Sequence, residues 1–139
     1  MSFSRFALLH LLFPFLICHV AADPVSEANR LMNLLKTAIE LNNIHSMRAF
    51  ISHDFTYDTC QSVLSYDQFL DTMTVLAAPP KAISTDWSTR EAQLVDNVLH
   101  FRLHYNDQFP VAYADIQFEA KLNSNNIFIF SKGKSLACR

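Results

Sequence analysis

The side chains best suited to chemistry in this chain are histidines and cysteines, and their spacing decides how much chemistry they can share. Beyond residue 22 the histidines are His45, His53, His100 and His104. His100 and His104 fall on one side of a single predicted strand, but at ~3.3 Å per residue they stand ~13 Å apart, too far to chelate one zinc ion together. Asp115, predicted on the neighbouring strand, can pair with one of them. A histidine on the wet face of a sheet is otherwise solvated, so no metal site is expected. Gly133 is the one glycine in the chain. That excludes the glycine-rich loops that cradle phosphates and the Gly-x-Ser-x-Gly elbow that presents a nucleophilic serine. Neither a metal nor an organic cofactor is expected.

The compartment follows from the first residues. Arg5 precedes an apolar run from Phe6 to Ile17, and Val20-Ala21-Ala22 supplies the small side chains of a cleavage site. Residues 1–22 read as a cleaved signal peptide and residues 23–139 as a single domain, secreted and extracellular. The apolar run is shorter than the ~20 residues of a membrane-spanning helix and contains His10 and Pro14, so no membrane attachment is expected after cleavage. Cleavage removes Arg5 and no acidic residue, which leaves the domain one unit more negative than the −2 of the full chain. No basic stripe remains to neutralise phosphates, and nucleic acid is not expected as a partner. Cys18 leaves with the leader, so Cys60 and Cys138 remain in an oxidising compartment where their pairing is expected, one free reactive thiol or two buried apolar ones being the alternative. No Asn-x-Ser/Thr acceptor for an N-linked glycan occurs.

The elements that must position these groups follow from hydrophobic period. After Asp23-Pro24, a capping residue followed by proline, Ala28, Leu31, Met32, Leu35, Ala38 and Ile39 recur at three- and four-residue steps and predict a long amphipathic helix to about Leu41. Asn42-Asn43 interrupts it. Ile44, Met47, Phe50 and Ile51 then predict a second, short helix. From His53 to Cys60 the period becomes two, a strand with Phe55, Tyr57 and Thr59 on one side. Ser65 and Gln68 have the form of a capping box, and Phe69, Leu70, Met73 and Leu76 mark a third helix stopped by Pro79-Pro80. Ala82 to Cys138 reads as four strands with turns at Asp96-Asn97, Asn106-Asp107 and Asn123 to Asn126. Hairpin-length connections make these strands antiparallel. Leu99, Phe101, Leu103 and Tyr105 share one side of the second of the four, and Ala112, Ala114, Ile116, Phe118 and Ala120 one side of the third. The predicted class is α+β: a long N-terminal helix and two shorter ones packed on a curved, mainly antiparallel sheet.

This order of elements, with Asp54-Phe55 after the short second helix, a strand ending at Cys60 and Tyr66-Asp67-Gln68-Phe69-Leu70 opening the third helix, resembles the nuclear transport factor 2-like superfamily, which includes ketosteroid isomerase and the SnoaL-type cyclases. A secreted domain with a cysteine closing its first strand is further similar to small nematode members of uncharacterised function. The resemblance covers residues 23–139 and implies a cystatin-like cone with a pocket between the long helix and the concave sheet. Its implied lining is Tyr57, Trp87, Leu99, Phe101, Leu103, Tyr105, Ile116 and Phe118, suited to a small apolar ligand; the alternative is that these side chains fill the core. The fold hosts enzymes and association modules alike. By analogy with ketosteroid isomerase, an enzyme would use Tyr57 with Asp54 or Asp58, and His100 or Asp115 as partner from a later strand. His100, Arg102, His104, Tyr113, Asp115, Gln117 and Glu119 form the opposite, polar face, either solvated or the surface of a homodimer. The expected activity is non-enzymatic binding of a small apolar ligand or a protein partner. The alternatives are an isomerase or lyase working inside the cone, and a dimeric association module with a filled core.

Overall fold

The computed structural model describes residues 23–77, 87–106 and 113–136. The expected leader, Ala112 and Cys138 lie outside these residues, as do the side chains of Leu76, Tyr105, Tyr113 and Ala114.

The first helix, α1 (Pro24–Glu40), starts where Asp23 accepts a hydrogen bond from the Ser26 amide and Pro24 occupies the first turn. It buries Ala28, Leu31, Met32, Leu35, Ala38 and Ile39, the stripe read from the sequence. Asn42, with φ 47°, turns the chain out of it. Asn43 then caps α2 (Ile44–Ala49) by accepting from the Ser46 amide. Phe50 ends that helix and Ile51 already belongs to β1 (Ile51–Asp58), so the strand starts two residues before the predicted His53. Cys60 lies beyond the strand in a turn with φ 73°. A short strand absent from the sequence reading, β2 (Val63–Ser65), follows. Ser65 and Gln68 form the reciprocal capping box at the start of α3 (Tyr66–Ala77): the Ser65 amide donates to Gln68 Oε1 and the Gln68 amide to Ser65 Oγ.

The four later strands are β3 (Trp87–Val95), β4 (Val98–Asn106), β5 (Tyr113–Leu122) and β6 (Phe128–Ser135). Asp96 and Asn97, with φ 50° and 61°, close the first hairpin, as its two-residue turn requires. Asn123 organises the β5–β6 turn by accepting from the amides of Asn125 and Ile127. The sheet order is β2-β1-β6-β5-β4-β3. Neighbours pair antiparallel throughout except β1 and β6, which run parallel and join the two ends of the chain into one sheet. The core is the layer between the helices and one face of this sheet. There Leu31, Leu35 and Ile39 of α1 join Phe55, Phe69, Leu99, Leu103 and Phe130 in one buried cluster. The result is an α+β cone with an open, curved, mixed sheet.

Candidate functional site

The inner face of the sheet is built in rungs, because residues opposite one another in register point to the same side. One rung carries Phe101, Phe118, Gly133 and Tyr57 across β4, β5, β6 and β1. A neighbouring rung carries Leu99, Ala120 and Phe130. Rings from both close on one another: Phe118 to Phe130 at 5.0 Å between centroids, Phe101 to Phe118 at 5.7 Å and Phe101 to Phe130 at 6.0 Å. Phe69 of α3 covers them from the helix side, 4.8 Å from Phe55 and 5.4 Å from Tyr57. Of the residues expected to line a pocket, Leu99, Phe101, Leu103 and Phe118 are sealed, with 4% exposure or less. Tyr57, Trp87 and Ile116 are partly buried and pack against the same cluster. Tyr57 hydrogen-bonds Ser135 through its hydroxyl at 3.0 Å, and burial raises its pKa above the ordinary phenol value.

The carboxylates considered as its catalytic partners are engaged elsewhere. Asp54 is exposed and bonded to Ser52, which holds its pKa below the usual carboxylate value. Asp58 accepts from the Cys60 amide at 2.8 Å and thereby fixes the turn after β1. His100 and Asp115 sit on the outer face, as the strand alternation required. The structure therefore does not bring Tyr57 and these groups into one site.

The outer face is ordered by cross-strand pairing. Arg102 donates to Asp115 at 2.7 Å, and His104 Nδ1 lies 3.0 Å from the other carboxylate oxygen of the same residue. These bonds, first that from His104 and then that from Arg102, depress the Asp115 pKa, while the Asp115 carboxylate raises that of Arg102. His100 lies 3.7 Å from Glu119. Register extends the ladder: Glu91 opposes Arg102, Arg102 opposes Gln117, and Gln117 opposes Lys134, while Gln93, His100, Glu119 and Lys132 form the rung beside it. Among the described residues no group of three or more His, Cys, Asp or Glu side chains could hold a metal ion.

Among the described residues, two of the larger clefts open away from the aromatic cluster. One, of about 400 Å³, lies along the outer face beside Glu91, His100, Arg102 and Gln117. The other, of about 460 Å³, lies where α2, β1 and the start of α3 meet, beside Arg48, His53, Tyr66 and Asp67. Sequence reasoning missed this second cleft and also missed Phe130 and Gly133. Phe130 falls in the unbroken apolar run Ile127 to Phe130, where no alternation marks which residues point inward. Gly133 carried a readable signal, an isolated glycine inside a strand pattern, which marks a close approach.

Comparison with solved structures identifies the architecture. A nuclear transport factor 2-like protein from Cytophaga hutchinsonii superposes with a TM-score of 0.63, covering 81% of this chain and 97% of that one at 11% identity. The chain has the nuclear transport factor 2-like fold. A nuclear transport factor 2-like protein of unknown function from Silicibacter pomeroyi gives 0.61 over 80% of this chain and 92% of that one at 11% identity. A candidate ketosteroid isomerase from Shewanella frigidimarina gives 0.61 over 81% and 96% at 10% identity. No family model and no curated protein matches the sequence. At such identities the likeness concerns the nuclear transport factor 2-like backbone and carries no residue role across.

Proposed function

We propose that this chain is a secreted, non-catalytic nuclear transport factor 2-like domain that associates with a second copy of itself through the outer face of its sheet. The observation that carries the reading is the division of labour between the two faces. Among the described residues the inner one is packed with contacting rings, whereas the outer one presents a self-paired ladder whose charges balance. Glu91, Asp115 and Glu119 stand against Arg102, Lys132 and Lys134, with acidic Glu91 on one edge of the ladder and the lysines on the other. A two-fold axis running along the strands between β4 and β5 lays β6 of one copy over β3 of the other. Such an axis preserves height along the strands, so Lys134 meets the partner's Glu91 on the same rung, twice. Self-complementarity of this kind is what an isologous interface requires. The partly shielded side chains of His100, His104, Asp115 and Glu119, each 22–31% exposed, suit a moderately polar interface.

In this reading residues 1–22 are the leader, and Cys60 pairs with Cys138. The pairing is supported by Cys60 Sγ lying 3.6 Å from the carbonyl oxygen of Ser135, three positions before Cys138 in the chain. The test of association is native mass spectrometry of the secreted protein. A dimer is expected, weakened about tenfold or more by Lys134→Glu and restored when Glu91→Lys is added, since the double change reverses both ends of each contact. A monomer at all accessible concentrations overturns the reading. Retention of a small apolar molecule through purification would transfer it to a carrier with the pocket lined around Tyr57, Trp87 and Ile116.

A further inference from the structure

Residues 52–55 of β1 have no ladder partner on either side. Toward β2, pairing covers only Thr56, Tyr57 and Asp58, because that strand is three residues long and the chain turns into α3 at Tyr66. Toward β6, the register passes from Ile51 opposite Phe130 directly to Thr56 opposite Lys132, so the longer stretch of β1 arches away from its neighbour. The arch forms one wall of the 460 Å³ cleft, Arg48 a second, and Ser65, Tyr66 and Asp67 a third. Of the polar groups around this cleft, Asp54 is bonded to Ser52 and Ser65 to Gln68, whereas Arg48, Asp67 and the Tyr66 phenol do not satisfy one another. Arg48 and Asp67 take part in no ion pair among the described residues. Tyr66 is 8% exposed, and its phenol oxygen is buried without a hydrogen-bond partner. The His53 ring rests against the Tyr66 ring with centroids 4.9 Å apart. On the outer sheet face Asp115 accepts from Arg102 and pairs with His104, although Arg102 Nε there is likewise buried without a hydrogen-bond partner.

We infer that this cleft docks an extended peptide segment, which joins the open edge of β1 at residues 52–55. The backbone provides the first level of recognition. A strand laid there continues the line of β2 and reaches amides and carbonyls that the sheet leaves without ladder partners. Four extended residues span about 13 Å, the length of the arch itself. Charge provides the second level: Arg48 stands against the carboxylates of Asp67 and Asp54, which selects a segment with one acidic and one basic side chain, the acidic one toward Arg48. The His53 and Tyr66 rings, in contact with each other and tilted by 48°, give an apolar side chain an aromatic surface to pack against. The site is separate from the outer sheet face and stands whether or not that face forms a dimer.

The test is an NMR titration of the mature, ¹⁵N-labelled protein with a synthetic pool of short, end-blocked peptides in which one Asp and one Lys are fixed and the remaining positions vary. Amide exchange at His53, Asp54 and Phe55 is expected to slow about tenfold or more, with shift changes centred on Arg48, His53 and Tyr66. A backbone N-methylated pool is expected to bind at least about tenfold more weakly. Arg48→Glu is expected to weaken binding to a similar degree while lowering the thermal unfolding midpoint only slightly, because Arg48 is exposed and makes no ion pair among the described residues, its one stabilising role being its place in the last turn of α2. No shift at millimolar pool concentration, changes confined to the outer face or the concave side, or equal binding by the N-methylated pool would each overturn the inference.

Discussion

A methyl group added to Gly133 would stand 2.6 Å from Cδ2 of Tyr57 and 2.7 Å from Cε1 of Phe118, inside carbon–carbon contact distance. The glycine is thus held by two rings that close over it from neighbouring strands, not by backbone conformation. Gly133→Ala is expected to cost about 1–3 kcal/mol as the rings are forced off their packing, measured by urea unfolding. A loss below about 0.5 kcal/mol would mean that both rings swing aside freely, which the filled inner face forbids. Asp115 makes the complementary point on the outer face. Its folded pKa is lowered by His104 and Arg102, so its contribution is present above the unfolded carboxylate value of about 4 and is lost as pH falls through the lower folded value. Asp115→Asn should therefore be the less stable protein at neutral pH, and the two stability curves should converge in acid. A gap that stays constant with pH would show that the substitution acts through packing instead. Outer-face roles of this sort were legible, since alternation in β4 and β5 placed His100, His104 and Asp115 together. Phe130 was not, because its apolar run hides the period.

Among the elements, α3 states its own beginning. Ser65 and Gln68 were readable as a capping box, and both reciprocal bonds are present. Ser65→Ala should cost about 1 kcal/mol by releasing the Gln68 amide. A matching loss on Gln68→Ala would attribute the effect to the box as a unit, whereas a neutral Ser65→Ala would mean that β2 alone holds the start of the helix. β2 escaped sequence reading for a related reason. Val63-Leu64-Ser65 is too short for any alternation, and it exists because Thr56, Tyr57 and Asp58 offer it an edge. The start of β1 was displaced for another. Phe50 and Ile51 continue the spacing of α2, so the helix period runs through the cap and into the first residue of the strand. The arch at 52–55 left no local trace, because it arises from where β6 arrives, a contact with residues far along the chain. Local pattern gives element type; pairing gives the irregularities that make the cleft.

At the scale of the whole molecule, the parallel pairing of β1 with β6 joins the two halves of the cone. Helices and the first strand come from one half, the antiparallel hairpins from the other. No hairpin turn encodes that junction, so it was not legible beyond the expectation of a single sheet. It is also where the cysteines bear on stability. Cys60 comes two residues after β1, and Cys138 three after β6, and the Tyr57–Gly133 and Asp58–Lys134 register brings the two strand ends side by side. A bond between these cysteines would clamp the parallel junction at its end and close a long loop, worth about 4 kcal/mol in the chain-entropy description if unstrained. Intact mass of the protein purified from a secreting host, after alkylation without reductant, should therefore show no modified cysteine. Reduction should lower denaturant stability by about that amount, with the strongest new amide exchange along β1 and β6. Two alkylated cysteines in the untreated protein would remove the clamp from the account and leave the junction to its backbone pairs and to Phe55, Tyr57 and Phe130. In that case Gly133→Ala, which loosens the same junction from inside, should become the more damaging change.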